Sequence, residues 1–284
     1  VVRILVTRND IVAITQNIEA HRIATEELAG LDIEVASVPW WEPGAIEREA
    51  RRRSGADRPA DDDALEPDLL AVRSVLSPSD RAHMAHLGRT ATAAVDSALA
   101  SVEPGRTEED LAADVIGRLP GVAAPVVLVA ADERVALHRH PLPGRTAIRR
   151  RVMLVIVAEA AGLHVALTRM RELEPVSPEL ERRFAAVAAV RDAMHAATKP
   201  GATFGMVLAA GRQAYAAAGF PEEWREHHQG GSIGYQARER LAFPGDPTEI
   251  RAGMAFAWNP SIAGVKVEDT IVVDDHGSVG PVTV

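Results

Sequence analysis

The chain has 284 residues, 47% hydrophobic and 25% charged, enough for one large domain or a domain with a smaller companion. A net charge of -9 leaves no broad basic surface for neutralising phosphates, so no nucleic-acid partner is expected. The absence of cysteine excludes a disulfide scaffold, a thiolate metal site and a Cys nucleophile. No apolar run reaches the ~18–20 residues of a membrane helix, and the first residues carry no charged or apolar leader pattern. The expectation is a soluble, cytoplasmic protein with no membrane partner.

In chain order, residues 2–7 and 11–15 are β-branched runs separated by Arg8-Asn9-Asp10, which predicts a hairpin. Asn17 stands where it could cap a helix over 18–29 that stops at Gly30, and 32–38 reads as a third strand. The result is a small ββαβ unit. Trp40-Trp41-Glu42-Pro43 is an aromatic pair expected to pack between domains or across a dimer interface rather than to stack on substrate. Residues 47–67, and Arg51 to Asp63 above all, have almost no large apolar side chain. They are expected to form a loop or linker, with a mixed-charge surface helix as the alternative. The boundary is set near residue 70, giving domains 1–70 and 71–284.

The second domain shows one pattern twice. Ser77-Pro78-Ser79-Asp80 places Ser at an N-cap, Pro at the first helical position and an acid near the helix dipole. It opens an Ala-rich helix to about residue 100, followed by Pro104-Gly105-Arg106-Thr107 and a helix over 108–119. Ser177-Pro178-Glu179 then opens a helix to about 197, followed by Pro200-Gly201-Ala202-Thr203 and a helix over 204–218. Two related halves are expected, although Pro-Gly turns and Ser/Thr caps are common in any chain. Strands are predicted at 124–130, 152–158 and 164–168 in the first half, and at 254–258 and 270–273 in the second. Capped helices plus strands, repeated, predict an α+β domain with helices on one face of a curved antiparallel sheet.

Three constellations could do chemistry. Of ten histidines, four lie in His138-Arg139-His140-Pro141 and Glu226-His227-His228-Gln229-Gly230-Gly231. Neither cluster has the spacing of a local zinc motif. The glycines let backbone approach a ligand closely, which weighs against a merely solvated His pair. The third is Trp258-Asn259-Pro260-Ser261 with Gly264-Val265-Lys266-Val267-Glu268-Asp269, which places polar groups at a strand end beside the core or else forms a solvated loop. No G-x-S-x-G elbow, phosphate loop or dinucleotide fingerprint is present.

The order of these motifs resembles the pita-bread family of methionine aminopeptidase, aminopeptidase P, prolidase and creatinase. The resemblance is carried by Glu103-Pro104-Gly105-Arg106-Thr107-Glu108, Gly162-Leu163-His164-Val165-Ala166-Leu167-Thr168-Arg169, Lys199-Pro200-Gly201, His227-His228-Gln229-Gly230-Gly231-Ser232-Ile233-Gly234, Phe256-Ala257-Trp258-Asn259-Pro260 and Val267-Glu268-Asp269-Thr270. It implies a pita-bread domain over 71–284 behind a shortened creatinase-like α/β domain. Active members hold two divalent metals with an Asp, a second Asp eleven residues on, a His and two Glu. Those positions here are Val155, Ala166, Gly231, Asn259 and Glu268. One carboxylate and one amide cannot rebuild a dinuclear site, so no metal and no cofactor are expected and a working metallo-aminopeptidase is excluded.

Creatinase, in the same fold, breaks a C–N bond without metal through a histidine. By that resemblance His227 matches the family's substrate-facing His, and His140, or else His138, matches its upstream His. Arg238, followed by Glu239, falls where proline-specific members carry a further His. The expected enzyme is metal-independent and acts by His-centred acid/base catalysis on a small nitrogen-containing or short peptide-like substrate, by hydrolysis or by elimination or cyclisation. His227 would transfer the proton, assisted by His140 and His228. Arg139, Arg238 and Lys266 would bind anionic groups, and Glu268, Asn259, Glu239 and Trp258 complete the expected site. Lys266 would replace the lost cation beside Glu268. The alternatives are a non-catalytic, peptidase-like binding module of the kind found in a histone chaperone and an unconventional metal site recruiting His227, His228 and Glu268. A homodimer is implied by the N-terminal domain type.

Overall fold

A computed structural model describes residues 2–56 and 59–284, without the side chain of residue 63. The chain divides into two compact units, Val1–Leu69 and Leu70–Val284.

In the first unit β1 (Val2–Val6) and β2 (Ile11–Gln16) form an antiparallel hairpin, and β3 (Glu34–Val38) lies parallel to β2 in the order β1-β2-β3. Thr7 fastens the turn by accepting the Asp10 N–H on Oγ1 at 3.0 Å. Between β2 and β3, α1 (Asn17–Arg22) runs into a π-turn, Ile23–Glu27. Asn17 is not the cap. It is the first helical residue, and its Oδ1 accepts the Trp40 N–H at 3.1 Å instead. Trp40 and Trp41 meet edge to face at 6.2 Å, and both are exposed.

The loop expected over 47–67 is largely helix: α2 (Ala45–Ser54) and the start of α3 (Asp62–Arg73). Its apolar side chains are few but correctly spaced. Ala45, Ile46 and Ala50 sit on one face and pack on Val12, Ile14, Ala36 and Val38. On the polar side Glu49 receives Arg52 and Arg53 at 2.5 and 2.6 Å, and Arg53 also reaches Glu34 at 2.7 Å. Residues 57 and 58 of the expected loop lie outside the described residues.

The second unit opens with α4 (Pro78–Ala100) and α5 (Glu108–Gly117). Both have capping boxes, Ser77 with Asp80 and Thr107 with Asp110, each side-chain oxygen taking an otherwise orphaned N–H. Next come β4 (Ala123–Ala131), the one-turn α6 (Arg134–Leu137), β5 (Arg151–Ala160) and β6 (Leu163–Glu172), an antiparallel sheet in chain order. The pattern then returns as α7 (Pro178–Ala197), capped by Ser177, and α8 (Phe204–Ala217), capped by Thr203. Seven short strands follow: β7 (Gly230–Ile233), β8 (Arg240–Leu241), β9 (Ala255–Trp258), β10 (Ser261–Ile262), β11 (Val265–Lys266), β12 (Asp269–Val273) and β13 (Val279–Pro281). Five of them form a sheet in the order β13-β12-β9-β7-β8. The two sheets meet where Thr168 of β6 pairs with Glu268, its N–H donating to the Glu268 carbonyl at 3.1 Å.

Helices α4 and α5 bury Leu87, Val95, Leu111 and Val115 against Val129, Leu154 and Ile156 of the first sheet. Helices α7 and α8 bury Val187, Val190, Phe204 and Tyr215 against Phe256, Trp258 and Ile271 of the second. This is the α+β pita-bread architecture. Among the described residues no helix is long and apolar enough to cross a membrane.

Candidate functional site

Side chains alternate across a strand, so the β5–β6 register fixes what faces the inner side of the first sheet. Val155 lies opposite Thr168, and Val157 opposite Ala166. Thr168 is the polar member of this row. Its hydroxyl donates to Glu268 Oε2 at 2.8 Å. The same carboxylate receives Arg238 Nη2 on Oε1 at 2.7 Å, and Lys266 Nζ lies 3.2 Å from Oε2. Lys266 and Glu268 are 5% and 2% exposed. Burial pushes the Glu268 carboxyl up, but Lys266, Arg238 and the Thr168 hydroxyl outweigh it and hold the pKa down at about 2. Burial lowers the Lys266 ammonium, and the Glu268 carboxylate opposes that shift.

Beside this group stand three imidazoles. His227 follows the short helical turn Glu223–Arg225 and is held by Gln229, whose side-chain amide donates to the His227 carbonyl at 2.7 Å. Gln229 is fixed in turn by the buried Tyr215 hydroxyl at 3.0 Å. The Nε2 atoms of His227 and His140 lie 2.9 Å apart, and the His228 ring stacks on His227 with centroids 4.3 Å apart. Exposure falls in steps from His140, which is open to solvent, through half-buried His228 to buried His227. Burial lowers all three: His227 to about 2, with Lys266 and then its imidazole neighbours adding to the effect; His228 to about 4, helped first by Arg238; and His140, helped by Lys266. All three imidazoles are therefore neutral at pH 7. The Nδ1 atoms of His227 and His228, Arg238 Nε and Asn259 Oδ1 are buried without a protein partner. Buried polar groups are rarely left unpaired, so these atoms keep bonding capacity that the protein itself does not use.

The predicted residues do not all gather. His140, His227, His228, Arg238, Lys266 and Glu268 form the linked cluster described above. Arg139 donates to Glu223 at 2.6 Å and to Ser261 at 3.2 Å, beside a crevice of only about 10 Å³ that Lys266 also lines. Glu239 is engaged elsewhere, by Arg73 at 2.6 Å and the Gln236 N–H at 3.0 Å. Trp258 is not a substrate contact. It is 0% exposed, stacked on Phe256 in the second core, and its Nε1–H donates to Thr198 at 2.9 Å. The ring stands on the same face of β9 as Phe256, as two-residue alternation requires. Thr168 and Gln229, which contact Glu268 and the His227 carbonyl, were missed as members of this cluster. The first lies in the quoted Ala166-Leu167-Thr168-Arg169 stretch, where a hydroxyl two residues from an emptied acid position was the available signal.

The family's pair of metals does not fit these residues. Val155 packs with Leu128, Ala130, Val135 and Met153. Ala166 has no donor side chain, and its N–H and carbonyl are both bound to the Thr270 hydroxyl, at 2.9 and 2.8 Å. A Cβ at Gly231 would stand 1.9 Å from the Arg240 carbonyl oxygen, so this backbone has no room for the ligand His. Asn259 brings an amide, and the oxygens of Glu268 are already taken by two cations and a hydroxyl.

A probable dipeptidase PepE of Mycobacterium tuberculosis is 28% identical over 206 residues, which cover 67% of this chain and 55% of that protein. The chain thus spans about half the length of this curated relative. Among solved structures, a dipeptidase from Pyrococcus horikoshii superposes with a TM-score of 0.84 at 21% identity, covering 100% of this chain and 86% of that one. The N-terminal domain of FACT complex subunit SPT16 from Cicer arietinum superposes at 0.75 with 12% identity, covering 98% and 82%. These likenesses are of fold. The model of metallopeptidase family M24 matches residues 82–275, more than half of the chain, and the protein belongs to that family.

Proposed function

We propose that this M24 chain is a metal-independent hydrolase that breaks a C–N bond in a small, anionic, nitrogen-containing or short peptide-like substrate. The observation that carries the reading is the His140–His227 pair, 2.9 Å between Nε2 atoms, set beside a Lys266–Glu268–Arg238 group whose carboxylate is saturated. A neutral imidazole with one bound and one free nitrogen is equipped to take a proton from water or return one to a leaving nitrogen. His227 is that residue, with His140 passing the proton on to solvent and His228 alongside. Arg238, whose Nε has no protein partner, would hold the substrate's anionic end, and Asn259 would orient its polar atoms. A bound anion would also offset the cationic field that depresses His227, raising its basicity when substrate is present. Elimination or cyclisation uses the same proton transfers and belongs to the same reading, as does the expected homodimer.

The test is turnover by chelator-treated protein against dipeptides, Xaa-Pro dipeptides and guanidino or carbamoyl amino acids. A hit retained without metal, with kcat lowered by about 10²–10⁴-fold in H227A, is the expected result. Activity seen only with added manganese or cobalt, or unchanged in H227A, overturns it. The fold likeness to the SPT16 N-terminal domain supports a second reading, a non-catalytic binding module, which predicts no turnover on any of these compounds.

A further inference from the structure

The imidazole cluster has a property separate from proton transfer. One ring nitrogen from each of His140, His227 and His228 lies within 4.8 Å of the others. The closest pair, Nε2 to Nε2 at 2.9 Å, holds together only if one of the two carries the proton between them. A cation can take that proton's place. Imidazole-bound zinc has Zn–N distances of about 2.0–2.1 Å, so nitrogens shared by one tetrahedral ion stand roughly 3.3 Å apart. The cluster brackets this spacing, and small ring rotations at exposed His140 and half-buried His228 bring it into register. His227, which is 8% exposed, is the fixed member, and the buried Nδ1 atoms of His227 and His228 have no protein partner.

The geometry points to a mononuclear site for one borderline divalent cation, of the Zn²⁺, Co²⁺ or Ni²⁺ type, held by His140, His227 and His228 with one position left open. Three neutral nitrogen ligands select such ions over Mg²⁺ or Ca²⁺, which need oxygen. Lys266 and Arg238 lie close by and repel a cation, while Glu268 is already saturated. The open position therefore suits an anion, such as chloride or a carboxylate, that neutralises the added charge. None of the five positions that hold metals elsewhere in the family is used. The site stands on this geometry alone; that its occupancy would block turnover, by removing the imidazoles from proton transfer, rests on the reading above.

The test is titration of the chelator-treated full chain with Co²⁺ and Zn²⁺, followed by visible absorption and calorimetry. One equivalent should bind, with the intense visible bands of a four-coordinate cobalt ion, and Zn²⁺ should displace it. H140A should weaken binding at least about 100-fold and, being a change at an exposed residue, leave the thermal melt unchanged. H138A should bind as the parent does. No binding, binding of two or more equivalents with equal affinity, or binding unchanged in H140A overturns the site. Failure of the metal to bind leaves the turnover test untouched, and loss of turnover in H227A without metal binding leaves the proton-transfer role intact, so the two readings fail separately.

Discussion

The Glu268 group and the imidazole group lie side by side in the second unit, yet their polar chemistry is finished to different degrees. Both Glu268 oxygens are occupied, by Lys266, Arg238 and Thr168, in a place nearly closed to water. The imidazoles share one short contact, leave two nitrogens unpaired and grade outward to solvent at His140. A saturated buried network resists change and holds shape, whereas an unsaturated one has bonding capacity to give to a ligand. The difference separates a closed polar network from an open one where proximity alone would merge them.

The largest effect should come from breaking the saturated side. E268A strands the buried Lys266 ammonium and should cost about 3–5 kcal/mol, read by urea unfolding. If K266M/E268M unfolds within about 1 kcal/mol of the parent, the cost of E268A lies in the stranded Lys266 charge rather than in the net worth of the pair. A drop as large as that of E268A would refute this. Next is G231A, which drives a methyl into the Arg240 carbonyl and forces β7 from β8, at a cost of about 1–3 kcal/mol. Unchanged stability would show that the backbone can accept a ligand side chain there.

The sequence disclosed some of these elements and concealed others for physical reasons. Ser77, Thr107, Ser177 and Thr203 announced their helices because capping is a local interaction, settled within one turn. β7 was hidden, since Gly230-Gly231-Ser232-Ile233 has no β-branched run; its glycines serve close approach to β8 and β9. Helix α2 stood only as the alternative to a linker, because its three apolar contacts and its Arg–Glu ladder look like a solvated stretch until the sheet beneath is known. In the site, the loss of donors at Val155 and Ala166 was legible, and so was the pairing of Lys266 with Glu268. The meeting of His140 with His227, 87 positions apart, required the fold. Trp258 was misassigned because its neighbours Asn259 and Pro260 mark a strand end, while the ring's face is set by strand alternation.

The unsaturated side should respond to acid. His227 and His228 are held neutral below the ordinary histidine range while the unfolded chain takes up protons from about pH 6.5 downward. Their folded pKa values are depressed, so stability is complete above pH 6.5 and falls as pH drops, through about 4 for His228 and about 2 for His227. Each proton difference contributes about 1.4 kcal/mol per pH unit. Below pH 4.5 Glu268 adds to the loss, since its lowered pKa is a stabilisation that protonation removes. In chelator-treated protein H227Q should flatten the slope of stability between pH 6.5 and 4.5 by one proton, and an unchanged slope would mean that His227 is not held neutral. The smallest effect belongs to W258F. It loses the bond to Thr198 and about 1 kcal/mol of stability, with no change in ligand affinity at the imidazoles. A shift in affinity would return Trp258 to the site.

Gly231 has a consequence for the history open to this backbone. Restoring two acids, an imidazole and a second glutamate would not suffice, because the imidazole's attachment point is wedged under a neighbouring carbonyl. Acids at Val155 and Ala166 would meet apolar neighbours, and a side chain at Gly231 a steric block, so the path toward two-ion chemistry climbs before it descends. This backbone disfavours such a site by shape as well as by the identity of its side chains.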